Sequence, residues 1–268
     1  MLYALSDFLF LVVYYLLGYR REVVKSNLEL CFPEKTKLEI LSIEKDFFQH
    51  LCDVIVETIK LLSISEKELK NRMRFENPEF ADSIISAGGS YVVMGTHMGN
   101  WEWVLAGKGI YLNGKIDFVY KPLHNAFFDK LMLKIRTRFG SFPVPSPSIL
   151  RLQVSRREIP KGIAMASDQT PGPDNSAVIH FMGLDTLFFK GPPKIASKLS
   201  IPIFYVGVRK EARGKYVFWV EEMADPAAVG EENIIRDFAS RLERDVRKQP
   251  ALWLWSHKRW KHKIPQQG

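Results

Sequence analysis

Tyr91-Val92-Val93-Met94-Gly95-Thr96-His97-Met98-Gly99-Asn100-Trp101-Glu102 is the stretch from which the fold can be read. Its first four residues form a short, continuous apolar run, the pattern of a strand covered on both faces. Gly95 to Gly99 interrupt that run. Asn100 is a suitable N-cap, which puts Glu102 in the first turn of the helix that follows. Strand, loop and helix in this order predict that His97 lies beyond the carboxyl end of a strand, where ligands gather in open α/β sheets.

Working outward, similar apolar runs recur at 116–120, 162–166, 178–181, 203–208 and 216–220. Helical patterns intervene at 101–109, 125–139, 192–199 and 233–248. Strands alternating with helices predict an α/β sheet with helices on its faces. Upstream, 39–62 reads as a long helix with Ile40, Ile43, Phe47, Leu51, Val54, Ile55 and Ile59 on one stripe. Glu57 interrupts that apolar stretch and reads as a solvated or capping residue. A shorter helix at 78–86 stops at Gly88-Gly89. No internal repeat or interdomain linker is evident. The expected organisation is a hydrophobic, helical segment over 1–35 followed by a single α/β domain over 36–268.

Residues 1–17 carry one charge, Asp7, and then meet Gly18-Tyr19-Arg20-Arg21. They lack the basic start and small-residue cleavage site of a signal peptide. They also fall short of the roughly 20 apolar residues of a comfortable membrane span. Asp7 disfavours a deep span, so an interfacial helix fits better than a crossing one. A buried core helix is the plainer alternative. Phe8, Phe10, Tyr14, Arg20 and Arg21 are the expected membrane contacts here, with Arg20, Arg21 and Lys25 on the cytoplasmic side. The net charge of +8 draws the protein toward anions: lipid headgroups, phosphorylated substrates, acidic carrier proteins or nucleic acid. Cys31 and Cys52 are too few and too far apart for a disulfide framework or a zinc site, and read as buried thiols in a reducing compartment.

Gly99 gives the loop room to fold so that His97 and Glu102 can meet. A carboxylate bonded to one imidazole nitrogen fixes the tautomer and steadies the imidazolium formed when the other nitrogen takes a proton. Such a pair suits general-base activation of a hydroxyl, without a Ser or Cys nucleophile. By spacing alone the pair also fits a structural histidine beside a glutamate favoured by the helix dipole. No metal is expected. His97 and His180 lack partners at ligand spacing, and His257 with His262 sits among lysines and arginines.

His-x4-Glu after a short strand resembles the His-x4-Asp/Glu motif of glycerolipid-type acyltransferases. The remaining blocks resemble one branch, the lipid A biosynthesis acyltransferases (lauroyl/myristoyl transferases) of Gram-negative bacteria. They are Gly18-Tyr19-Arg20-Arg21 with Asn27-Leu28 and Phe32-Pro33-Glu34; Val119-Tyr120-Lys121-Pro122 with Asn125 and Phe128-Asp129; Asp168-Gln169, Phe181-Met182-Gly183 and Gly191-Pro192; and the tail from Trp253 to Lys261. Leu252 and Lys190 depart from the family pattern.

The resemblance implies a glycerolipid-acyltransferase-like sheet and no cofactor. It implies transfer of a fatty acyl group from an acyl carrier protein thioester to a hydroxyl of a lipid A precursor glycolipid, on the cytoplasmic face of the inner membrane. The catalytic pair would be His97 and Glu102, with Lys121, Asp168, Gln169 and Arg259 binding substrate. Phe181, Phe188 and Phe189 could line an acyl pocket, although core packing is their default. Trp253 and Trp255, alternating with Lys258, Arg259, Lys261 and Lys263, suit a bilayer interface. The same mixture could stack on single-stranded nucleic acid, but the apolar N-terminus and the lack of an RNP-like motif favour lipid. A lysophospholipid or amino-acid-based lipid acceptor, or a non-enzymatic basic membrane-binding protein, are the other readings.

Overall fold

The structure, a computed structural model, describes residues 1–112 and 115–261. His262 and Lys263 of the basic tail therefore lie outside the described residues. Nine strands are described: β1 (Met73–Phe75), β2 (Tyr91–Gly95), β3 (Lys115–Tyr120), β4 (Ser141–Pro145), β5 (Lys161–Ala166), β6 (Ser176–Phe181), β7 (Leu184–Phe189), β8 (Ile203–Ala212) and β9 (Lys215–Glu222). The described helices are α1 (Leu2–Phe10), α2 (Arg21–Cys31), α3 (Lys37–Lys60), α4 (Glu66–Arg72), α5 (Glu79–Ser86), α6 (Trp101–Tyr111), α7 (Ala126–Thr137), α8 (Ile149–Ser155), α9 (Gly191–Leu199), α10 (Pro226–Val229) and α11 (Glu231–Lys248).

Seven strands form one sheet in the order β1-β9-β8-β2-β5-β3-β4, parallel at every pairing except β8 with β9. Val92, Met94, Ile163, Ile203 and Tyr205, on its central strands, are almost wholly excluded from solvent, as continuous apolar runs require. The chain leaves β2 toward β3 and β4, returns through β5 between β2 and β3, and then builds β8 on the other side of β2. The carboxyl ends of β2 and β5 thus flank a point where the strand order reverses.

The run at 178–181 is not part of this sheet. It lies in β6, which pairs only with β7 as an antiparallel hairpin. Met182 and Gly183 both take positive φ there, 53° and 79°, the conformation a two-residue hairpin turn demands. Met182 is held in it by donating its N–H to Glu243 (2.8 Å). β4 carries Pro143 and Pro145 and sits at the sheet edge, where missing donors do least harm.

α3 starts on a capping box: Thr36 accepts from the Glu39 N–H, and Glu39 accepts from the Thr36 N–H. α11 buries Ile234, Ile235, Phe238, Ala239, Leu242 and Val246, one stripe at helical spacing, against β6 and β8. Both cysteines are free and buried, and burial pushes their thiols up, Cys52 to about 11.

Residues 2–10 continue into a π-helical turn over Leu11–Leu16 that packs on α3. No single described helix is long and apolar enough to cross a membrane; Leu2–Leu16 with Arg21–Cys31 passes only as a pair bent by 87°. Leu5, Phe8, Leu11, Tyr15, Leu16 and Leu17 are exposed. Tyr14 is not: it is buried against Phe48 under the Arg21 guanidinium, which corrects its expected membrane contact. Phe10 is half-buried, Arg20 donates to the Ser256 carbonyl (2.9 Å), and Arg21 pairs with Glu44 (2.8 Å).

Candidate active site

Gly95 of β2 stands opposite Ala166 of β5, and the Ser167 N–H donates to the Gly95 carbonyl (2.9 Å). His97 and Asp168 each lie two residues beyond that rung. The register therefore brings their side chains together.

His97 Nδ1 lies 2.6 Å from Asp168 Oδ1. The His97 backbone N–H and the Trp253 indole N–H both donate to Asp168 Oδ2 (2.7 and 2.9 Å). A carboxylate accepts only, so Nδ1 carries the proton and Nε2 keeps its lone pair, toward which the Gln169 amide nitrogen points at 3.2 Å. Burial alone would push the Asp168 carboxyl up. The nearby imidazole and the three donated hydrogen bonds outweigh it and bring the carboxyl down to about 2. For His97, burial works against protonation, but the charge and hydrogen bond of Asp168 prevail and hold the imidazole above the ordinary histidine value. An oriented, basic imidazole results, its Nε2 an acceptor met only by the Gln169 amide.

Glu102 is not the carboxylate on the imidazole. It is 6% exposed and held in a two-pronged pair by Arg136 of α7, Nε to Oε2 at 2.9 Å and Nη2 to Oε1 at 2.6 Å. The expected His97–Glu102 hydrogen bond is therefore replaced by His97–Asp168. Glu102 acts on His97 only as a nearby charge that also raises its pKa. The planar Arg fork matches both carboxylate oxygens at once and so holds Glu102 away from the ring.

α3 clamps the loop from below. His50 Nε2 meets the Gly99 carbonyl (3.1 Å); burial holds that imidazole neutral, near 3, so Nε2 is the donor. Glu57 is fully buried rather than solvated, which corrects its reading from sequence. It accepts from Asn100 Nδ2 (2.7 Å), the Tyr216 hydroxyl (2.9 Å) and the Tyr3 hydroxyl (2.8 Å). Asn100 in turn accepts from the Trp103 N–H (3.0 Å), capping α6. Gly99 takes φ +56°, and a Cβ there would lie 2.6 Å from Val208, so neither the conformation nor the space admits a side chain.

The tail closes the site from above. Gly99 N–H donates to the Leu252 carbonyl (3.0 Å), and Met98 bridges to Trp253. Asn27 of α2 donates to the Trp255 and His257 carbonyls (2.8 and 3.0 Å). Trp253 and Trp255 are 3% and 0% exposed, so they pack inside the molecule rather than meeting a bilayer. His257 Nε2 accepts from the Thr170 N–H (3.1 Å), with burial holding its pKa down at about 4. Phe181 and Phe188 are fully buried, Phe181 against Trp253 and Phe188 beneath Arg259, and Phe189 is half-buried. Lys121 is exposed just past β3. A small cavity is lined by Asn27, His97, Asp168, Gln169, Trp253, Leu254, His257 and Arg259; Lys121 is not among them.

Of the residues singled out in the sequence, Asn27, His97, Asp168, Gln169, Trp253 and Arg259 thus share one cavity, Trp253 there rather than at a bilayer. His50, Glu57, Arg136 and His257 were not assigned to the site. Glu57 alone gave a signal, a charge within an apolar helical stripe. No cluster of three or more potential metal ligands occurs among the described residues.

Over 244 residues the chain is 21% identical to the lipid A biosynthesis palmitoleoyltransferase of Escherichia coli (strain K12), covering 90% of this chain and 79% of that protein. It is 24% identical over 246 residues to a lipid A biosynthesis acyltransferase of Haemophilus influenzae (strain ATCC 51907 / DSM 11121 / KW20 / Rd), covering 90% and 78%. The family described as bacterial lipid A biosynthesis acyltransferase matches residues 2–262. The chain belongs to that family and is an acyltransferase.

Proposed function

We propose that the protein transfers a fatty acyl group from an acyl carrier protein thioester to a hydroxyl of a lipid A precursor, with His97 as general base. The observation that carries this reading is the His97–Asp168 pair, 2.6 Å apart, with Nε2 beside a cavity. The parallel-dominated sheet, with the His97 and Asp168 loops beyond β2 and β5, suits this reading by placing both side chains where open α/β sheets bind ligands.

In this mechanism His97 Nε2 removes the hydroxyl proton as the oxygen attacks the thioester carbonyl carbon. Asp168 keeps the imidazole in the required tautomer and steadies the imidazolium. Collapse of the tetrahedral intermediate breaks the C–S bond, and His97 returns the proton to the leaving thiolate. The products are an ester and a free thiol, and no cofactor takes part. Gln169 holds Nε2 until substrate displaces it. Glu102 anchors Arg136 and adds negative charge near the imidazolium. Phe181 and Phe188 are fully buried behind Trp253 and Arg259 rather than lining the cavity, so of the three phenylalanines only the half-buried Phe189 is left to meet an acyl chain. Lys121 and the basic tail attract phosphate groups of the acceptor.

The exposed apolar face of residues 5–17 suits an interfacial position on the inner membrane, on its cytoplasmic side. His97→Ala should fold normally and lose transfer from acyl carrier protein by about 10³-fold. Turnover near the wild-type rate, with ester product confirmed by mass spectrometry, would sink the mechanism.

A further inference from the structure

Arg259 is 3% exposed, yet it has no carboxylate partner among the described residues. Its Nη1 donates to Thr170 Oγ1 (3.2 Å), and its guanidinium carbon lies 4.4 Å from the centroid of the Phe188 ring. Its Nε and Nη2 are buried and meet no acceptor in the protein. The carboxylate that most favours its charge, Asp168, has both oxygens engaged by His97 and Trp253. Burial accordingly brings the guanidinium down to about 10, opposed by Asp168, which leaves it cationic at neutral pH.

A buried cation with two unmet donors is costly in an interior. Glu102–Arg136 and Asp117–Arg156 show that even half-buried arginines of this protein have a carboxylate against them. Arg259 instead lines the same cavity as His97. That cavity, of about 10 Å³, has room for roughly one water-sized group. A phosphate does not fit it without rearrangement, whereas a single oxygen does. Asn27, Gln169 and His257 in the lining are neutral and the Asp168 carboxylate is already engaged by His97 and Trp253, which leaves Arg259 as the permanent positive charge of the lining.

We propose that Arg259 is a catalytic residue that stabilises the oxyanion of the tetrahedral intermediate, its free guanidinium edge receiving the former carbonyl oxygen. The inference rests on the acyl-transfer reading above. As the acceptor oxygen bonds to the carbonyl carbon, the C=O π pair moves onto oxygen. The charge grows where two fixed donors and a cation already stand, and no reorganisation is needed at that moment. When the C–S bond breaks, the pair returns and Arg259 is released. Its interaction is thus stronger with the transition state than with the planar thioester, which raises kcat rather than lowering KM.

The test uses the full-length protein in detergent micelles, dodecanoyl-acyl carrier protein as donor, and a phosphorylated, hydroxyacylated glucosamine disaccharide as acceptor. Arg259→Gln should lower kcat by about 100- to 1,000-fold while both KM values stay within about threefold. Millimolar guanidinium should restore part of the rate. A second measurement holds if that variant fails to fold. The wild type should bind an alkylphosphonate mimic of the tetrahedral centre more tightly than the matching planar ketone, and Arg259→Lys should lose that preference. A folded Arg259→Gln with near wild-type kcat, a loss confined to the acceptor KM, or an unchanged preference in Arg259→Lys would overturn the proposal. If His97→Ala abolishes transfer while Arg259→Gln does not, the oxyanion role alone fails. If the wild type makes no ester, the acyl-transfer reading fails and takes this inference with it.

Discussion

At the scale of single residues, the carboxylate that orients His97 comes from the loop beyond β5, not from the first turn of α6 as sequence spacing suggests. Asp168 lies 71 positions from His97 in the chain and 2.6 Å from it in space. Glu102, five positions away, is turned to Arg136. The two assignments predict different pH profiles. His97 must be neutral to act as base, so kcat/KM should fall as pH drops through its raised pKa. Asp168→Asn removes the main raising influence, so that limb should move to lower pH. The plateau should also fall by about 10³- to 10⁴-fold as the tautomer is lost. Glu102→Gln retains a hydrogen bond to Arg136 but removes a lesser raising charge, so the limb should move down by less, with a much smaller fall of the plateau. Steady-state kinetics between pH 5 and 9 separates the two, and the reverse order would return Glu102 to the imidazole.

At the scale of elements, α3 carries much of the site's precision although none of its residues lines the cavity. Replacing Glu57 by Leu would leave the Tyr3 and Tyr216 hydroxyls and the Asn100 amide without their acceptor. The expected loss is about 3 kcal/mol or more of stability, read from urea unfolding of purified protein. Gly99→Ala meets both a left-handed backbone and Val208, and should cost about 1–3 kcal/mol and lower turnover by displacing the loop. The sheet was legible because Tyr91–Met94, 162–166 and 203–208 are apolar runs too short for helices. β4 was not, since its prolines erase a strand pattern that only an edge position tolerates. β6 showed its strand character but not its partner, because local pattern does not report which strands pair. His97 was legible from its loop between strand and helix. The Asp168 contact was not, because it depends on the β2–β5 register. Trp253 and Trp255 showed the composition of an interface, yet their N–H groups find Asp168 and a carbonyl inside the molecule.

At the scale of the whole molecule, the positive charge and the exposed apolar face make the proposed carrier-protein and membrane contacts testable. Turnover with acyl carrier protein should weaken as ionic strength rises from about 0.05 to 0.5 M, through KM for the carrier rather than kcat. Replacing Leu5, Phe8 and Leu11 by Ser should release the protein from anionic vesicles in a sedimentation assay while its unfolding midpoint changes little, since all three side chains are exposed. Unchanged sedimentation would move the membrane contact to another surface.

The N-terminal helix is also fastened to the body by polar groups: Tyr3 to Glu57, Ser6 to Asp53 (2.7 Å), and Asp7 to Arg213 (2.6 Å). Two of those partners, Glu57 and Asp53, are fully buried. A chimaera in which residues 1–17 are exchanged for a foreign hydrophobic helix would therefore remove one donor from each of two interior carboxylates, leaving Glu57 with Asn100 and Tyr216 and Asp53 with Arg213 and Lys210. Residues 1–17 are thus tied to the body through Tyr3, Ser6 and Asp7, and their sequence is constrained from the protein side whatever their apolar face meets.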